Sequence, residues 1–382
     1  MQPYALAAQH RFKSPGAGSY VVGLASAWSE GGGGAVGSRL VASVAGSQGS
    51  LEVLSLAGLR PECSIPAPHG KEAPSDLAFL RGAPCIVSCG ADGAVKLWDV
   101  RARGREPARM LREAGAAPKE DEQVTSVSVS SDDRLCAYAL GSKIRVLDLT
   151  AGKELFVHEE AHCEPITCLR FHPSRARELV SAGDDGLICV LDAERCIEGG
   201  KAIEDDSGLR LVVNGGETTR SLSFIGEDSE VVAAVSTTEV VQLWSLHEQR
   251  PGGFCGRFPN LRASPSLRVG ESDGYIVDVL YDQASGRAHA LGGSVSGALS
   301  LFHLNLEASE LAVSLPSGGH GGVVRGAAAL GAAVGGGFAT GGEDGKICLW
   351  RPAAGGSEGG ARKRPGAAGG WRKSKKRAKG SG

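Results

Sequence analysis

The sequence lacks the signatures of a zinc-binding, secreted or membrane-spanning chain. Its ten cysteines include no Cys-x-x-Cys pair and no other paired zinc spacing. The first residues show no secretory leader, and no apolar run reaches the roughly 18 residues that a membrane-spanning helix needs. These absences predict a soluble, intracellular protein with reduced thiols and no membrane partner.

Motifs for nucleotide binding and for catalysis are also missing. Gly345-Lys346 has neither the glycine five positions earlier nor the following Ser or Thr of a phosphate-binding loop. No stretch of sequence sets a nucleophile beside a base. His158 to His162 fits the His-Glu-x-x-His zinc-protease pattern, but that chemistry needs a helix, and this segment follows the strand-like residues 154–157. We therefore expect no enzyme, no metal, no cofactor and no small-molecule substrate.

Long helical periodicity is scarce, whereas glycine is abundant. The 57 glycines are about twice the share of an ordinary globular chain. Short β-branched runs lie between clusters of Gly, Asp and Ser, which is typical of many short strands joined by tight turns. The composition therefore favours an all-β fold.

The most informative feature is a repeat. Ser88 to Trp98 and Thr340 to Trp350 share one template, with Ser or Thr ten positions before Trp and Asp six before it. Seven strand-turn-strand units end in Trp-Asp-like pairs at spacings of 44 to 58 residues, a period typical of four-stranded blades. The pairs are Leu54-Ser55, Trp98-Asp99, Leu147-Asp148, Leu191-Asp192, Trp244-Ser245, Phe302-His303 and Trp350-Arg351. We expect one repeat domain over residues 1–352, with blades ending near residues 56, 100, 149, 193, 246, 304 and 352.

These units resemble the WD40 β-propeller family, most strongly the second, fourth and seventh. The resemblance implies a seven-bladed ring and a structural tetrad of His, Ser/Thr, Asp and Trp, which helps to specify a structure when every member is satisfied. The tetrads fall on His69, Ser88, Asp92 and Trp98; on His320, Thr340, Asp344 and Trp350; and, with Leu191 in place of Trp, on His162, Ser181 and Asp185. We expect the other four units to rely on apolar packing.

A narrower resemblance, to one group within this family, rests on particular segments. The segment Ile166 to Ser174 reads Ile-Thr-x-x-Arg-Phe-His-Pro-Ser, and Ser-x-x-Asp-Asp-Gly-Leu follows it. Gly318-Gly319-His320 leads to Gly341 to Asp344 in the same manner, and a basic tail comes last.

The first residues are expected to close the ring. The last unit ends at its third strand near Pro352, where glycine-rich sequence begins, so a fourth strand is missing. Residues 3–12 form a spare strand-like run before the first unit. We predict that this run completes the last blade, because closure removes the open sheet edges of a ring.

Trp98-Asp99-Val100-Arg101 resembles the WDxR box of propellers that act as substrate receptors of cullin-type ubiquitin ligases. The resemblance implies that Arg101 is exposed below its blade and that the ligase adaptor is contacted through Asp99 and Arg101. A planar guanidinium just past a rigid strand is a good interface anchor. The alternative is that Arg101 pairs or packs locally, since many WD40 proteins carry such a box without belonging to a ligase.

The tail, residues 353–382, is strongly basic. It holds nine Lys or Arg residues and one acid, Glu358, which leaves 32 basic and 42 acidic residues in the rest of the chain. Two basic clusters have the spacing of a bipartite nuclear-import signal, and the Gly, Ala and Ser between them predict a disordered, accessible segment. The clusters are Lys363 and Arg364, then Lys375, Lys376, Arg377 and Lys379. Trp371 among these bases could stack on a nucleobase, so RNA contact is an alternative role.

Taken together, these features predict a non-catalytic scaffold that docks other proteins on a rigid ring. The expected location is the nucleus or its nucleolus, with the cytoplasm as the alternative. The expected partners are other proteins and an import receptor. A ligase adaptor at the WDxR box and RNA at the tail belong to two alternative functions, a ubiquitin-ligase substrate receptor and an RNA-associated nucleolar assembly factor.

Overall fold

The computed structural model describes twelve stretches of the chain. They are residues 4–12, 20–27, 38–45, 49–102, 106–113, 123–198, 201–202, 208–246, 253–283, 285–305, 309–331 and 336–353. These stretches contain 30 β-strands and a single-turn 3-10 helix (Leu261–Ala263), but no α-helix. Nor do they contain a helix that could span a membrane. The import residues of the tail lie outside them.

The strands form seven four-stranded antiparallel sheets, or blades, which follow one another along the chain. The first strand, β1 (Tyr4–Arg11), belongs to the last blade. Blade 1 comprises β2 (Tyr20–Ala27), β3 (Arg39–Ala45), β4 (Ser50–Ser55) and β5 (Arg60–Pro66). Blade 2 comprises β6 (Asp76–Phe79), β7 (Cys85–Cys89), β8 (Val95–Asp99) and β9 (Arg109–Arg112). Blade 3 comprises β10 (Val124–Val129), β11 (Leu135–Leu140), β12 (Lys143–Asp148) and β13 (Lys153–His158).

Blade 4 departs from this pattern because a short hairpin precedes its outer strand. The blade comprises β14 (Ile166–Phe171), β15 (Glu178–Gly183), β16 (Leu187–Asp192) and β19 (Leu209–Asn214), and the hairpin is β17 (Ile197–Glu198) with β18 (Lys201–Ala202). Blade 5 comprises β20 (Thr219–Ile225), β21 (Val231–Ser236), β22 (Val241–Ser245) and β23 (Phe254–Phe258). Blade 6 comprises β24 (Tyr275–Asp282), β25 (Arg287–Gly293), β26 (Leu299–Leu304) and β27 (Ser309–Ser314).

Blade 7 is assembled from both ends of the described chain. Its inner strands are β28 (Val324–Ala329), β29 (Phe338–Gly342) and β30 (Lys346–Pro352), and β1 supplies the outermost position. The pairing of β1 with β30 runs from Tyr4 opposite Pro352 to Arg11 opposite Lys346. The structure is therefore a seven-bladed β-propeller closed by its N-terminal strand, which confirms the expected fold.

The strands follow from local chemistry. Asp-Gly pairs turn the chain between the second and third strands of blades 2 and 7, where Gly93 and Gly345 take φ values of 73° and 69°. Such positive angles suit glycine, which has no Cβ. Inside the ring each blade is covered on both faces, so middle strands read as apolar runs rather than alternating patterns. Every residue of β15 and of β21 is buried, for example.

The hydrophobic core lies between neighbouring blades. Val41, Ile86 and Trp98 join blades 1 and 2, and Ile144 packs with Leu169 between blades 3 and 4. The ring has two faces. The upper face carries the turns between second and third strands and the connections from blade to blade. The lower face carries the turns between first and second strands and between third and fourth strands, so Arg101 lies there.

Candidate functional site

The tetrad of blade 2 is a continuous hydrogen-bond chain. The Trp98 indole Nε1 donates to Ser88 Oγ at 2.8 Å, and Ser88 Oγ lies 2.7 Å from His69 Nε2. His69 Nδ1 lies 2.8 Å from Asp92 Oδ1. Because the indole N–H occupies the serine oxygen, the hydroxyl donates to Nε2 and the Nδ1–H donates to the carboxylate. Every polar group of the chain then has a partner, which is the condition for a buried network to stabilise a fold.

Blades 4 and 7 hold the same arrangement with one difference. In blade 7 the Trp350 indole donates to Thr340 Oγ1 at 2.8 Å, and His320 lies 2.8 Å from that oxygen and 3.1 Å from Asp344. In blade 4 the bonds among His162, Ser181 and Asp185 measure 2.8 and 3.1 Å. Leu191 takes the tryptophan position there and packs into the core between blades 3 and 4.

The pKa shifts of the tetrad residues fit a structural role. Burial lowers the pKa of His69, His162 and His320 more than the neighbouring aspartates raise it. Burial alone would raise the pKa of Asp92, but the hydrogen bonds and charges around it, chiefly those of His69, hold that pKa well below its usual range. At neutral pH each of these imidazoles is therefore uncharged and is hydrogen-bonded to an ionised aspartate.

Each tetrad also brings a hydroxyl, an imidazole and a carboxylate into the order of a catalytic triad, although no local stretch of sequence pairs a nucleophile with a base. Ser88, Ser181 and Thr340 are fully buried. In blades 2 and 7 an indole N–H also occupies the hydroxyl oxygen. Because a nucleophile must reach its substrate, these three hydroxyls are not placed for acyl transfer.

The His-Glu-x-x-His segment does not form a helix. His158 ends β13, and His162 lies in the connection to blade 4, where both of its ring nitrogens bond within the tetrad. Nowhere in the described stretches do three or more His, Cys, Asp or Glu side chains converge as a metal site.

Two blades have other side chains in place of the tetrad, and the spacing of Ser or Thr, Asp and Trp does not predict them. In blade 6, Leu267 is fully buried and packs in one cluster with Phe302, which occupies the tryptophan position. In blade 5, the Trp244 indole donates to Gln242 Oε1 at 3.2 Å, and Gln242 Nε2 donates to the Gly215 carbonyl at 2.9 Å. Residues of these types carry no characteristic spacing, so only the structure identifies them.

Side-chain hydrogen bonds also join neighbouring blades around the central channel. Near the upper face, Thr125 Oγ1 donates to the Ile166 carbonyl at 2.6 Å, joining blades 3 and 4. Thr167 Oγ1 donates to the Thr219 carbonyl at 2.5 Å, joining blades 4 and 5, and the Arg220 guanidinium donates to the Ile276 carbonyl at 2.6 Å, joining blades 5 and 6. In each case the donor lies at a β-bulge of the innermost strand.

Deeper in the channel, one aspartate joins three blades. Asp76 Oδ2 of blade 2 accepts hydrogen bonds from Ser126 Oγ at 2.6 Å and from the Val127 N–H at 3.2 Å, both in blade 3. The Arg170 guanidinium of blade 4 donates to the same oxygen at 2.7 Å. Burial alone would lower the pKa of Arg170, but the Asp76 charge more than offsets it, so the guanidinium stays charged.

The WDxR box lies at the lower face of blade 2. Asp99 ends β8, and Arg101 follows in the turn with 62% of its side chain exposed. Arg101 Nε donates to Asp99 Oδ1 at 3.0 Å, and Nη2 donates to Oδ2 at 2.7 Å. This fork lowers the pKa of Asp99. The arginine therefore pairs locally and is presented to solvent at the same time.

Comparisons with known proteins agree with this architecture. The family model described as WD domain, G-beta repeat matches residues 63–99 and 152–192. The chain is 25% identical over 232 residues, 61% of its length, to the WD repeat-containing protein 89 homolog of Dictyostelium discoideum, and 26% identical over 277 residues, 70% of its length, to the WD repeat-containing protein GTS1 of Arabidopsis thaliana. An uncharacterized WD repeat-containing protein of Schizosaccharomyces pombe is 23% identical over 155 residues, 38% of this chain and 44% of that protein.

The matches cover 59% and 66% of the first two relatives, so the chain spans less than two thirds of the length of the curated relatives that it matches. The narrower resemblance noted at Ile166 to Ser174 is to the WD repeat-containing protein 89 group, and the Dictyostelium match confirms it. WD40 propellers generally serve as non-catalytic scaffolds for protein interaction. The seven blades, the hydrogen-bonded tetrads and the two matched repeats show that this chain belongs to the WD40-repeat β-propeller family.

Proposed function

We propose that the protein is a non-catalytic scaffold that assembles other proteins in the nucleus. The observation that carries this proposal is the series of side-chain hydrogen bonds from blade to blade, from Asp76 in blade 2 to Ile276 in blade 6. These bonds fix the relative positions of the blades, while the turns at both faces remain open to partners. Binding residues are commonly placed on loops that a rigid framework positions. The nuclear location is supported by the two basic clusters of the tail, Lys363 to Arg364 and Lys375 to Lys379.

A second candidate is supported by a specific observation, the exposure of Arg101. In a ubiquitin-ligase substrate receptor this guanidinium would contact the ligase adaptor. Its fork to Asp99 holds it in one orientation, which lowers the entropy lost on binding. An arginine that only stabilises its own turn would pair with Asp99 in the same way. The structural role and the receptor function therefore differ in whether recovery of a partner requires Arg101.

The test is affinity purification of the full chain from nuclear and cytoplasmic fractions after nuclease treatment, with identification of the partners. The wild type is compared with Arg101→Ala and with Arg60→Ala, which removes an exposed arginine at the start of β5, directly after the corresponding turn of blade 1. The scaffold proposal expects the same nuclease-resistant partners from the nuclear fraction in all three.

Other results would replace the proposal. An adaptor of a cullin ligase recovered with the wild type and Arg60→Ala, but lost with Arg101→Ala, would establish the receptor function. Partners that disappear with nuclease would establish the RNA-associated factor instead. Recovery from the cytoplasmic fraction alone would overturn the nuclear location.

A further inference from the structure

Two further exposed arginines lie at the lower face on turns near Arg101. Arg81 lies in the turn between β6 and β7, and Arg134 lies in the corresponding turn of blade 3, both exposed. The two turns are joined, because the backbone N–H groups of Arg81 and Gly82 donate to the Asp133 carboxylate at 2.9 and 2.5 Å. We refer to Arg81, Arg101 and Arg134 as the arginine patch.

Arg101 belongs to the same surface. The backbone N–H that precedes it, at Val100, donates to the Pro84 carbonyl at the end of the Arg81 turn, at 3.0 Å. The Cys85 thiol beside that turn is influenced by all three neighbours: burial and then the Asp99 and Asp133 charges raise its pKa, and the Arg101 charge only partly offsets them. Three guanidinium groups thus lie on adjoining turns of two blades.

The carboxylates around the patch are already engaged. Asp99 holds Arg101, and Asp133 accepts the two backbone N–H groups of the Arg81 turn. Asp132 accepts Ser130 Oγ at 2.6 Å and pairs with Arg177 at 3.3 Å. In contrast, Arg81 and Arg134 form no salt bridge with any residue in the described stretches. Their charges are therefore available to an anionic partner.

The chemistry of the patch favours carboxylates over nucleic acid. A guanidinium presents a planar fork that matches a carboxylate in two parallel hydrogen bonds. Asp99, Asp132 and Asp133 lie beside the arginines and would repel a continuous polyphosphate, but discrete carboxylates can avoid them. The patch residues include no aromatic ring on which a base could stack, as single-stranded nucleic acid usually requires.

We propose that the arginine patch is a docking surface for an acidic segment of a partner protein. The inference rests on the scaffold function proposed above and gives that scaffold a partner chemistry at its lower face. The structure also allows the Arg81 side chain to be tested by substitution. Because the blade-joining bonds use the backbone of Arg81 and of Gly82, replacing the Arg81 side chain leaves those bonds in place.

The test measures binding of a short fluorescein-labelled oligoglutamate peptide to the full-length protein by fluorescence anisotropy. The variant Arg81→Gln with Arg134→Gln is compared with Arg262→Gln with Arg268→Gln, which removes the same charge from the connection at the upper face. Two exposed charge pairs at about 0.5 kcal/mol each predict that the lower-face variant weakens binding about fivefold. The upper-face variant should stay near the wild type, since both variants retain the basic tail.

Equal weakening in both variants would show unspecific attraction and overturn the proposal, as would no weakening in either. An oligouridylate of the same length that loses binding in the lower-face variant, while the peptide does not, would make the patch a nucleic-acid surface instead. The scaffold function can survive each of these failures, because it depends on nuclease-resistant partners recovered by the whole ring.

Discussion

His172 joins two turns at the lower face through both of its ring nitrogens. Nδ1 accepts the backbone N–H groups of Ser174 at 3.2 Å and Arg175 at 3.0 Å, in the turn that follows β14. Nε2 therefore carries the proton and donates to the Ser229 carbonyl in the next blade at 3.1 Å. This contact gives the His-Pro-Ser segment a physical role, because only a neutral imidazole can accept on one side and donate on the other.

The stability of the protein should therefore fall with acid, and His172 should contribute to that fall. Burial, and then the Arg175 charge, lowers the pKa of His172 from 6.5 to about 4. A depressed histidine pKa means that its contribution is complete above pH 6.5 and is lost as pH falls toward 4. The loss amounts to about 3 kcal/mol of unfolding free energy.

Urea denaturation at several pH values checks this expectation. His172→Asn keeps an acceptor for the turn but cannot titrate, so its unfolding free energy should change less between pH 7 and pH 4 than that of the wild type. Other buried histidines titrate in both proteins and cancel in the comparison. Parallel pH profiles would show that His172 does not supply the acid sensitivity.

The tetrad of blade 2 allows a second prediction at this scale. Trp98→Phe removes the indole N–H bond to Ser88 but keeps an aromatic ring in the core. In a double-mutant cycle with Ser88→Ala, we expect a coupling of about 1 kcal/mol in the free energy of unfolding, the usual contribution of one buried hydrogen bond. Additive effects of the two substitutions would mean that this bond adds nothing to stability.

At the scale of strands and turns, the sequence indicates some features and hides others. A histidine followed 19 or 20 positions later by Ser or Thr, and four positions after that by Asp, is enough to place the polar chain of blades 2, 4 and 7. Leu267 and Phe302 do the corresponding packing in blade 6 with no polar atoms, and apolar residues recur everywhere in the chain. Leu267 and Phe302 meet because of the path that the connection between blades 5 and 6 takes in the folded chain. Their contact therefore cannot be predicted from their spacing in the sequence.

The β-bulges are hidden for a related reason. Thr125, Thr167 and Arg220 are not all of one residue type, yet each lies at a bulge and donates to the first strand of the next blade. A bulge is a property of the register between two strands, which the order of residues in one strand does not fix. The contact of Asp76 with Arg170 in blade 4 likewise needs the ring, because 94 positions separate the two residues.

For the whole molecule, the ring depends on its first strand. β1 covers the edge of β30 and places Tyr4 against Phe338 at a ring-centroid distance of 5.3 Å, in a cluster that includes Trp350. Blade 7 has few large side chains of its own on β28, where residues 326 to 329 are glycine and alanine. The N-terminal strand thus supplies both hydrogen bonds and apolar surface that the last blade cannot provide from its own segment.

Deleting residues 1–12 should consequently destabilise the whole fold and not only shorten the chain. The deletion exposes the edge of β30 and the tryptophan cluster, and open strand edges promote association between chains. We expect the thermal midpoint to fall by more than about 5 °C and larger species to appear in size-exclusion chromatography. Ala7→Lys is the matched control, because Ala7 lies at a bulge of the same strand with its side chain exposed. An unchanged midpoint after the deletion would show that the other strands hold the ring closed without β1.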